Sequence, residues 1–325
     1  MRVSAETDNS VMIGGQGVRK PRALRGGSVL LPIAPASPAD FANVLAGAEE
    51  LRRLGFHVED ATPLTSEGYF AGSALGRLDE FLHGLQRDDV DGLVAIRGGY
   101  GSNYILDGLA ISETDTPKVI LGYSDITSLQ AYLWKKYAFV GFYAPMLAAG
   151  LAAGEGATNG YDRASLLAAI GTAEGGWTIN LKGEALAAGE AEGRVLGGCL
   201  TLVETTIGTP WELETQGAIL LLEDRGMKPW QVDRALMHLK QAGKFQGVRG
   251  IVLGDFPECD APMSGSPGVR DVCTRILGEL GVPMVYGAPV GHTQRPILTV
   301  PLGVRARLTA RADGALEILE PAVVG

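Results

Sequence analysis

The sequence predicts an α/β protein with a parallel β-sheet and enough chain for a second domain. Short apolar runs alternate with stretches in which apolar residues recur at helical spacing, which is the pattern of repeated βαβ units. At 325 residues the chain is long for one domain and comfortable for two. Towards the end the alternation stops, and two apolar runs flank an Asp-Gly turn, which predicts an antiparallel hairpin.

The N-terminal half carries the clearest βαβ pattern. Its predicted strands are residues 28–34, 57–58, 92–96, 119–121 and 139–142. The first predicted helix has its apolar face at Phe41, Val44, Leu45, Ala48, Leu51 and Leu54. The second predicted helix has its apolar face at Leu75, Leu78, Phe81, Leu82 and Leu85.

The C-terminal half repeats the alternation with fewer units. Its predicted strands are residues 218–222 and 250–253. The helices that follow them are marked by Val232, Leu236 and Leu239, and by Val272, Ile276, Leu277 and Leu280. The hairpin occupies residues 304–308 and 315–319, so this half is expected to mix parallel and antiparallel strands.

Composition divides the chain into four parts. Residues 1–20 mix Ser, Asn, Gly and charge, and we expect a flexible leader. Residues 21–150 are predicted to form the N-terminal α/β domain, and residues 194–325 the C-terminal domain. Residues 151–193 are rich in Ala and Gly with weak apolar periodicity, which indicates a connecting segment with little core of its own.

Charge and cysteine usage exclude several classes of protein. The formal net charge of −9 argues against a general binder of nucleic acid or of anionic membranes, since either needs a basic face. The three cysteines are widely spaced, so neither a disulfide framework nor a metal knuckle is indicated. No apolar stretch is long enough to span a membrane, and residues 1–20 lack the apolar core of a secretory signal. We expect a cytoplasmic enzyme that needs no cofactor.

Ser124 stands where a short apolar run passes through Gly122 and Tyr123 into a helical pattern. A serine on such a turn is exposed at the carboxyl edge of the sheet, beside the N–H groups of a helix N-terminus. It is therefore a candidate nucleophile. The full Gly-x-Ser-x-Gly elbow is absent because Ile126 replaces its second glycine, and a serine before Asp125 is also a good helix N-cap.

Glu223 and His292 are the candidate acid and base. Glu223 ends a predicted strand, and catalytic acids of α/β proteins tend to lie at this carboxyl edge of the sheet. The alternative is an ion pair with Arg225 or Arg234. His292 lies in a loop bounded by glycine and proline, whereas the remaining histidines are expected at surface or edge positions: His57, His83 and His238. Asp79 and His83 have a metal-ligand spacing but no third ligand nearby, so no metal site is predicted. Serine, acid and histidine occur in one of the known triad orders.

A glycine-rich turn follows the predicted strand 92–96. It reads Arg97-Gly98-Gly99-Tyr100-Gly101. Its glycines allow close approach of a ligand and offer N–H groups, and Arg97 is suited to a carboxylate. The phosphate-binding Gly-x-Gly-x-x-Gly and Gly-Lys-Ser/Thr loops are both missing. An ordinary tight turn remains the alternative.

Together these motifs resemble the LD-carboxypeptidases of the murein tetrapeptide type, a serine peptidase family that also contains the microcin C immunity peptidases. The resembling segments, in the family's order from about residue 21 onwards, are Ala34-Pro35-Ala36-Ser37-Pro38, Gly68-Tyr69-Phe70-Ala71-Gly72, Arg97-Gly98-Gly99-Tyr100-Gly101, Gly122-Tyr123-Ser124-Asp125-Ile126-Thr127, Leu222-Glu223-Asp224, Val232-Asp233-Arg234, Gly254-Asp255-Phe256 and Gly291-His292.

The resemblance implies a Ser-Glu-His triad, which falls on Ser124, Glu223 and His292. It implies an oxyanion hole from the N–H of Asp125 and one from Gly98 or Gly99. It also implies a flavodoxin-like N-terminal domain joined to a smaller C-terminal domain, with the site in the cleft between them, and a homodimer. The binding of a substrate carboxylate by Arg97, with Tyr100 beside it, is our own inference.

The chain departs from the family pattern at three positions. Cys199 replaces the asparagine of a Gly-Gly-Asn-Leu segment, Met227 replaces a glutamate, and Trp230 replaces a tyrosine. These changes leave the triad intact and put substrate preference in doubt.

We expect a serine LD-carboxypeptidase that releases the terminal D-Ala of murein tetrapeptide during peptidoglycan recycling, with this small peptide as its partner. One alternative is a microcin C immunity-type peptidase that cleaves the amide of a peptidyl or aminoacyl nucleotide, for which Trp177 is the base-stacking candidate in the connecting segment. A second alternative is a non-catalytic two-domain binding module.

Overall fold

The computed structural model describes residues 17–61, 65–112 and 115–325. Most of the expected leader, residues 1–16, lies outside the described residues. Residues 17–20 belong to the fold, because the backbone N–H of Arg19 donates to the Ala138 carbonyl and its carbonyl accepts from Val140. Among the described residues no helix is long and apolar enough to cross a bilayer.

The first sheet is built from the N-terminal half. Its strands in that half are β1 (Val29–Ile33), β2 (His57–Val58), β3 (Gly92–Ala95), β4 (Val119–Gly122) and β5 (Gly141–Tyr143). The helices between them are α1 (Phe41–Arg53), α2 (Ala74–Gln86) and α3 (Ile126–Tyr137). These strands are parallel in the order β2-β1-β3-β4-β5. This is the flavodoxin-like order, so the predicted fold class is confirmed for this half.

The second sheet has eight strands. Along the chain, the elements that follow the first five strands begin with α4 (Arg163–Gly171), β6 (Trp177–Asn180), β7 (Glu184–Ala187), β8 (Gly189–Cys199), α5 (Leu200–Glu204), β9 (Ala218–Glu223) and α6 (Pro229–Gln241). They continue with β10 (Gly250–Gly254), α7 (Val269–Leu277), β11 (Met284–Ala288), β12 (Val300–Leu302), β13 (Arg305–Ala310) and β14 (Ala315–Ile318). Strands β8 to β11 are parallel, and the outer strands are antiparallel to them or to one another. The predicted mixed sheet and the hairpin β13-β14 are confirmed.

Strand β12 belongs to the first sheet, although it lies between strands of the second sheet along the chain. It pairs antiparallel with β5, with Val300 opposite Tyr143 and Leu302 opposite Gly141. The first sheet is therefore completed by residues that follow the second sheet's main strands along the chain. The two halves also share one hydrophobic core, which runs from Leu24 to Val323.

The largest difference from the sequence prediction lies in residues 151–193. They form α4, β6, β7 and the start of β8, and they bury Tyr161, Leu166, Ile170 and Leu181 almost completely. The expectation of little core was wrong because small residues give weak apolar periodicity, although strands pair through their backbone whatever their side chains.

Two predicted helix faces are also partly wrong. In α1 the buried positions include Val44 and Leu51, while Leu45 is 45% exposed. In α2 Phe81 and Leu85 are buried, whereas Leu75 is 74% exposed because it lies in the first turn of the helix. The apolar stripe indicated the correct face but not its ends.

Candidate active site

Ser124 occupies a strained turn between β4 and α3. Its φ is 62°, a left-handed conformation that costs a non-glycine residue about 1–3 kcal/mol. Gly122 makes the turn possible, since a Cβ there would lie 2.8 Å from the Ile126 side chain. The cap position of α3 falls on Asp125, without a side-chain capping bond, and the Ser124 hydroxyl forms no hydrogen bond to the described residues. The N-cap alternative is therefore not what the structure has.

Glu223 and His292 are in direct contact. Glu223 ends β9 and is fully buried. Its Oε2 lies 3.0 Å from Nδ1 of His292 and accepts the His292 backbone N–H at 2.9 Å. Gly291 allows this approach, because its φ is 60° and a Cβ there would lie 2.5 Å from the Glu223 carboxyl carbon. The carboxylate thus fixes the imidazole and leaves Nε2 available.

Tyr143 links this pair to the Ser124 turn. It is fully buried at the end of β5, and its hydroxyl donates to Oε1 of Glu223 in a short hydrogen bond. The Tyr143 hydroxyl oxygen also accepts the Ser124 backbone N–H at 3.4 Å. Sequence reasoning missed Tyr143, although its place at the carboxyl edge beside β4 was a usable signal.

Burial and neighbouring charges shift the pKa of His292 in opposite directions. Burial lowers the pKa of its imidazole, but Glu223 raises it by charge and by hydrogen bonding, and the balance lies above the ordinary value of 6.5. Its ring packs edge-on against Tyr123, with ring centres 5.2 Å apart. No hydrogen bond joins His292 to the Ser124 hydroxyl in the structure, which is common in unliganded sites.

The glycine turn after β3 lies against Ser124. A Cβ at Gly98 would be 2.8 Å from the Ser124 Cβ, 3.0 Å from its Oγ and 3.2 Å from the Asp125 nitrogen. The Asp125 carboxylate accepts the Ser102 N–H at 2.8 Å, and the Ser102 hydroxyl donates to the Asp125 carbonyl at 2.7 Å. The Gly98 backbone and the Asp125 nitrogen therefore lie close to each other and to the Ser124 hydroxyl.

The other members of that turn point elsewhere. Gly99 is exposed, with a φ of 106°. Arg97 is exposed and donates to the Pro38 carbonyl at 3.3 Å. The 40%-exposed Tyr100 belongs to a surface aromatic group with Tyr69, Phe70 and Tyr104. The structure therefore brings Gly98 to Ser124 more closely than it brings Arg97 or Tyr100.

A cavity of about 500 Å³ opens beside His292. It is lined from the first half by Asn43, Tyr123, Ala148, Ala149, Gly150, Ala152, Ala153 and Asn159. From the second half it is lined by Arg225, Pro257, Glu258, His292, Thr293, Gln294 and Ile297. Such a volume suits a small peptide or ligand fragment.

Of the three divergent positions, Cys199 lies beside the acid, opposite Glu223 in the pairing of β8 with β9. Cys199 is buried, donates its N–H to the Thr127 hydroxyl at 3.1 Å, and contacts Asp224 through its sulfur at 3.5 Å. Burial, followed by the charges of Asp224 and Glu223, raises the pKa of the Cys199 thiol far above its ordinary value, so it stays protonated. Met227 contacts the Thr201 hydroxyl, and the exposed Trp230 lies under the Arg234 guanidinium. Trp177 belongs to β6 and does not line the cavity.

Comparison with known proteins connects this geometry to one family. Residues 32–144 match the family model of the LD-carboxypeptidase N-terminal domain, and residues 192–308 match that of the C-terminal domain. A probable murein peptide carboxypeptidase of Bacillus subtilis is 34% identical over 304 residues, which are 92% of this chain and 94% of that protein. The microcin C7 self-immunity protein MccF of Escherichia coli is 28% identical over 301 residues, 84% of this chain and 87% of that protein.

A solved structure shares the whole fold. The crystal structure of a muramoyltetrapeptide carboxypeptidase from Oxalobacter formigenes superposes with a TM-score of 0.78 at 24% identity. The superposition covers 90% of this chain and 99% of the other. It extends the likeness in fold over both halves.

Proposed function

The chain belongs to the LD-carboxypeptidase family, and on that premise we propose that it hydrolyses the L,D-peptide bond that holds the terminal D-Ala of murein tetrapeptide. The observation that carries this proposal is the buried Glu223–His292 pair beside a serine held in a left-handed turn. An imidazole oriented by a carboxylate is the arrangement that activates a serine hydroxyl.

In the proposed reaction neutral His292 accepts the Ser124 proton at Nε2 while the serine oxygen attacks the carbonyl carbon of the L,D bond. The imidazolium then donates that proton to the nitrogen of the departing D-Ala as the carbon–nitrogen bond breaks. Water attacks the resulting ester with His292 again as base, which releases the shortened peptide and regenerates the serine. Glu223 keeps Nδ1 protonated throughout.

The proposed oxyanion hole uses the N–H of Asp125 and one from Gly98 or Gly99. It is supported by the close approach of the Gly98 backbone and the Asp125 nitrogen to the serine oxygen. One such donor typically lowers the barrier by about 3 kcal/mol. We further propose that Arg97, whose exposed guanidinium has a weak contact to a carbonyl, binds a substrate carboxylate with Tyr100 beside it.

The two halves of the chain supply different catalytic residues in this proposal. We propose that residues 21–150 act as the domain carrying the nucleophile, and that residues 194–325 act as the domain carrying the acid and base. Residues 151–193 join them. The support is that β4 supplies Ser124, whereas β9 and the loop after β11 supply Glu223 and His292.

We also propose that the protein works as a cytoplasmic homodimer in peptidoglycan recycling. Three free, buried cysteines are compatible with a reducing compartment. Light scattering coupled to size-exclusion chromatography measures the mass of the particle directly, and the mass of one chain would contradict the dimer.

A second candidate is a peptidase of the microcin C immunity type, because MccF is among the relatives. It would use the same three residues on the amide of a peptidyl or aminoacyl nucleotide. The cavity beside His292 offers one aromatic ring for base stacking, that of Tyr123. The murein peptide is the better-supported substrate, because the chain is 34% identical to a probable murein peptide carboxypeptidase and 28% identical to MccF.

The deciding experiment measures D-Ala release from purified murein tetrapeptide by wild type and by Ser124→Ala. We expect release by the wild type and at least a 10³-fold loss in the variant, whose residual rate comes from the oxyanion hole and substrate binding. Equal release by both would show that the nucleophile is misassigned. A folded wild type that is inactive on the tetrapeptide but cleaves an aminoacyl-nucleotide amide would favour the second candidate. Binding without cleavage of either would favour a non-catalytic module.

A further inference from the structure

The cavity beside His292 carries two opposite permanent charges. Of its lining residues only Arg225 and Glu258 are charged at every pH near neutrality, and the remainder are neutral apart from the titratable His292. The two charges cancel, so the cavity favours neither a net anion nor a net cation. It suits a ligand group that itself carries one charge of each sign.

Arg225 and Glu258 face each other in a two-pronged ion pair. Nε of Arg225 lies 3.0 Å from Oε2 of Glu258, and Nη2 lies 2.6 Å from Oε1. Nη1 of Arg225 donates no hydrogen bond within the described part of the chain. Each carboxylate oxygen of Glu258 accepts one hydrogen bond from Arg225 and has the capacity to accept a second. Both groups therefore retain capacity for a ligand while they stay paired.

The loop that carries Glu258 is strained. Phe256 and Glu258 have φ values of 50° and 61°, in the left-handed region that non-glycine residues avoid. Both side chains of the ion pair are more than half exposed, and exposed ion pairs add little stability. The small stabilisation from this ion pair does not compensate the conformational cost of the left-handed residues. Backbone strain that adds no stability is often found at functional sites.

The pair also lies close to the reacting groups. Arg225 follows Glu223 by two residues at the end of β9, and Glu258 follows the neighbouring parallel strand β10. Burial and then the Arg225 charge oppose the rise in the pKa of His292, which places the guanidinium within electrostatic range of the imidazole. Arg225, Glu258 and His292 also line the same cavity, so a group bound by the pair lies on the same side of the site as the proposed base.

We propose that Arg225 and Glu258 bind an α-amino-carboxylate zwitterion at the end of the substrate's third side chain, as in diaminopimelate. This inference rests on the proposed function and names its substrate class. The guanidinium takes the carboxylate in the geometry that arginine favours, and Glu258 takes the ammonium.

A lysine at the same position provides a clean comparison. Its ammonium is attached to the same side-chain carbon as the ammonium of diaminopimelate, and it lacks only the carboxylate. The lysine substrate therefore satisfies Glu258 and leaves Arg225 without its ligand. A site that contains an unmatched polar group discriminates against the ligand that lacks the partner.

The test measures kcat/KM for D-Ala release from two tetrapeptides that differ only in diaminopimelate or lysine at the third position. We expect the wild type to prefer diaminopimelate by about tenfold or more, since one charge-assisted contact is at stake. Arg225→Gln should lose most of that preference by acting on the diaminopimelate substrate alone. Glu258→Gln should slow both substrates, because both carry the ammonium.

The matched control is the exposed ion pair of the same two-pronged kind between Arg270 and Glu184. Arg270→Gln should leave both substrates unchanged. Arg225→Lys, which keeps the charge but not the fork, guards against a folding defect and should restore part of the preference. Circular dichroism checks that each variant is folded.

Two outcomes overturn the proposal while the proposed function stands. An equal fall on both substrates in Arg225→Gln would mean that the arginine binds a main-chain carboxylate. An unchanged preference in Arg225→Gln would mean that the pair is only structural. Failure of the wild type to release D-Ala from either substrate would instead overturn the proposed function, and this inference with it.

Discussion

The hydroxyl of Tyr143 touches both the turn of the proposed nucleophile and the proposed acid. It donates to Glu223 and accepts from the Ser124 N–H. Burial, followed by the negative charge of Glu223, raises the pKa of Tyr143 far above its ordinary value, so the phenol stays protonated and remains a donor. We therefore expect Tyr143 to be a positioning residue that acts through Glu223.

Tyr143→Phe should change the pH dependence as well as the rate. The base acts when His292 is neutral, so kcat/KM falls as pH drops through its pKa, and in the wild type that acidic limb should have its midpoint above 6.5. Without the phenol donor Glu223 holds the imidazolium more strongly, so the limb should move to higher pH. The rate at its plateau should fall about tenfold or more, as for a lost hydrogen bond to a charged group.

Tyr161→Phe is the matched control for this change. Tyr161 is also fully buried and donates to a glutamate, Glu50, at 2.6 Å. It should lower stability and leave the pH profile of kcat/KM in place. A Tyr143→Phe profile that coincides with the wild-type profile would show that Tyr143 has only a structural role.

Single residues were predictable from sequence when their position in an element carried the signal. Ser124 at a strand-to-helix turn, Glu223 at a strand end and His292 in a glycine-bounded loop were all named in advance, although their roles remain proposals. Tyr143 was missed because a tyrosine in an apolar run resembles core. The Arg225–Glu258 pair was missed because only the adjacency of β9 and β10 brings the two together.

At the scale of elements, two loops meet: the glycine turn after β3 and the turn after β4. Gly98→Ala should lower kcat/KM by at least about 10², because the added methyl would lie 3.0 Å from the Ser124 Oγ and 3.2 Å from the proposed oxyanion donor. Steady-state kinetics of D-Ala release measures the loss.

Gly278→Ala provides the control for Gly98→Ala. Gly278 has a helical φ of −61°, and a Cβ there meets no atom within 4 Å. Its activity should match the wild type. A Gly98→Ala enzyme that retains wild-type activity would remove this turn from the proposed oxyanion site.

Secondary-structure elements were predictable where the residue types and the spacing of apolar residues indicated the same kind of element. The apolar runs of β1, β3, β4, β9 and β10 identified buried parallel strands, and the Asp-Gly turn identified the hairpin β13-β14. The strands β6 to β8 were not predicted, because alanine, glycine and charged residues there give no clear alternation. Their pairing depends on backbone hydrogen bonds to partners distant along the chain.

At the scale of the whole molecule the two halves are not independent. Strand β12 extends the first sheet, and one hydrophobic core includes residues of both halves. No local pattern in Val300-Pro301-Leu302 reveals which sheet it joins, so this feature was beyond sequence reasoning. The shared strand and core should make the halves unfold together.

We therefore predict one cooperative unfolding transition in urea, with coincident curves from circular dichroism and tryptophan fluorescence. Leu93→Ala in the first sheet and Leu253→Ala in the second each empty a fully buried site and should cost about 2–5 kcal/mol. Either variant should shift both curves by the same amount. Two separated transitions, each moved by only one variant, would contradict this coupling.

The return of β12 to the first sheet has a consequence for protein synthesis. At 5–20 residues per second, roughly 10 to 30 seconds pass between the emergence of β5 from the ribosome and that of β12, its neighbour at the sheet edge. During that interval the nascent chain carries an open strand edge, and Ser124 has already been made while His292 has not. His292 and β12 are synthesised within a few residues of each other. A nascent chain therefore lacks the proposed base, and has no peptidase activity, until shortly before β12 can pair with β5.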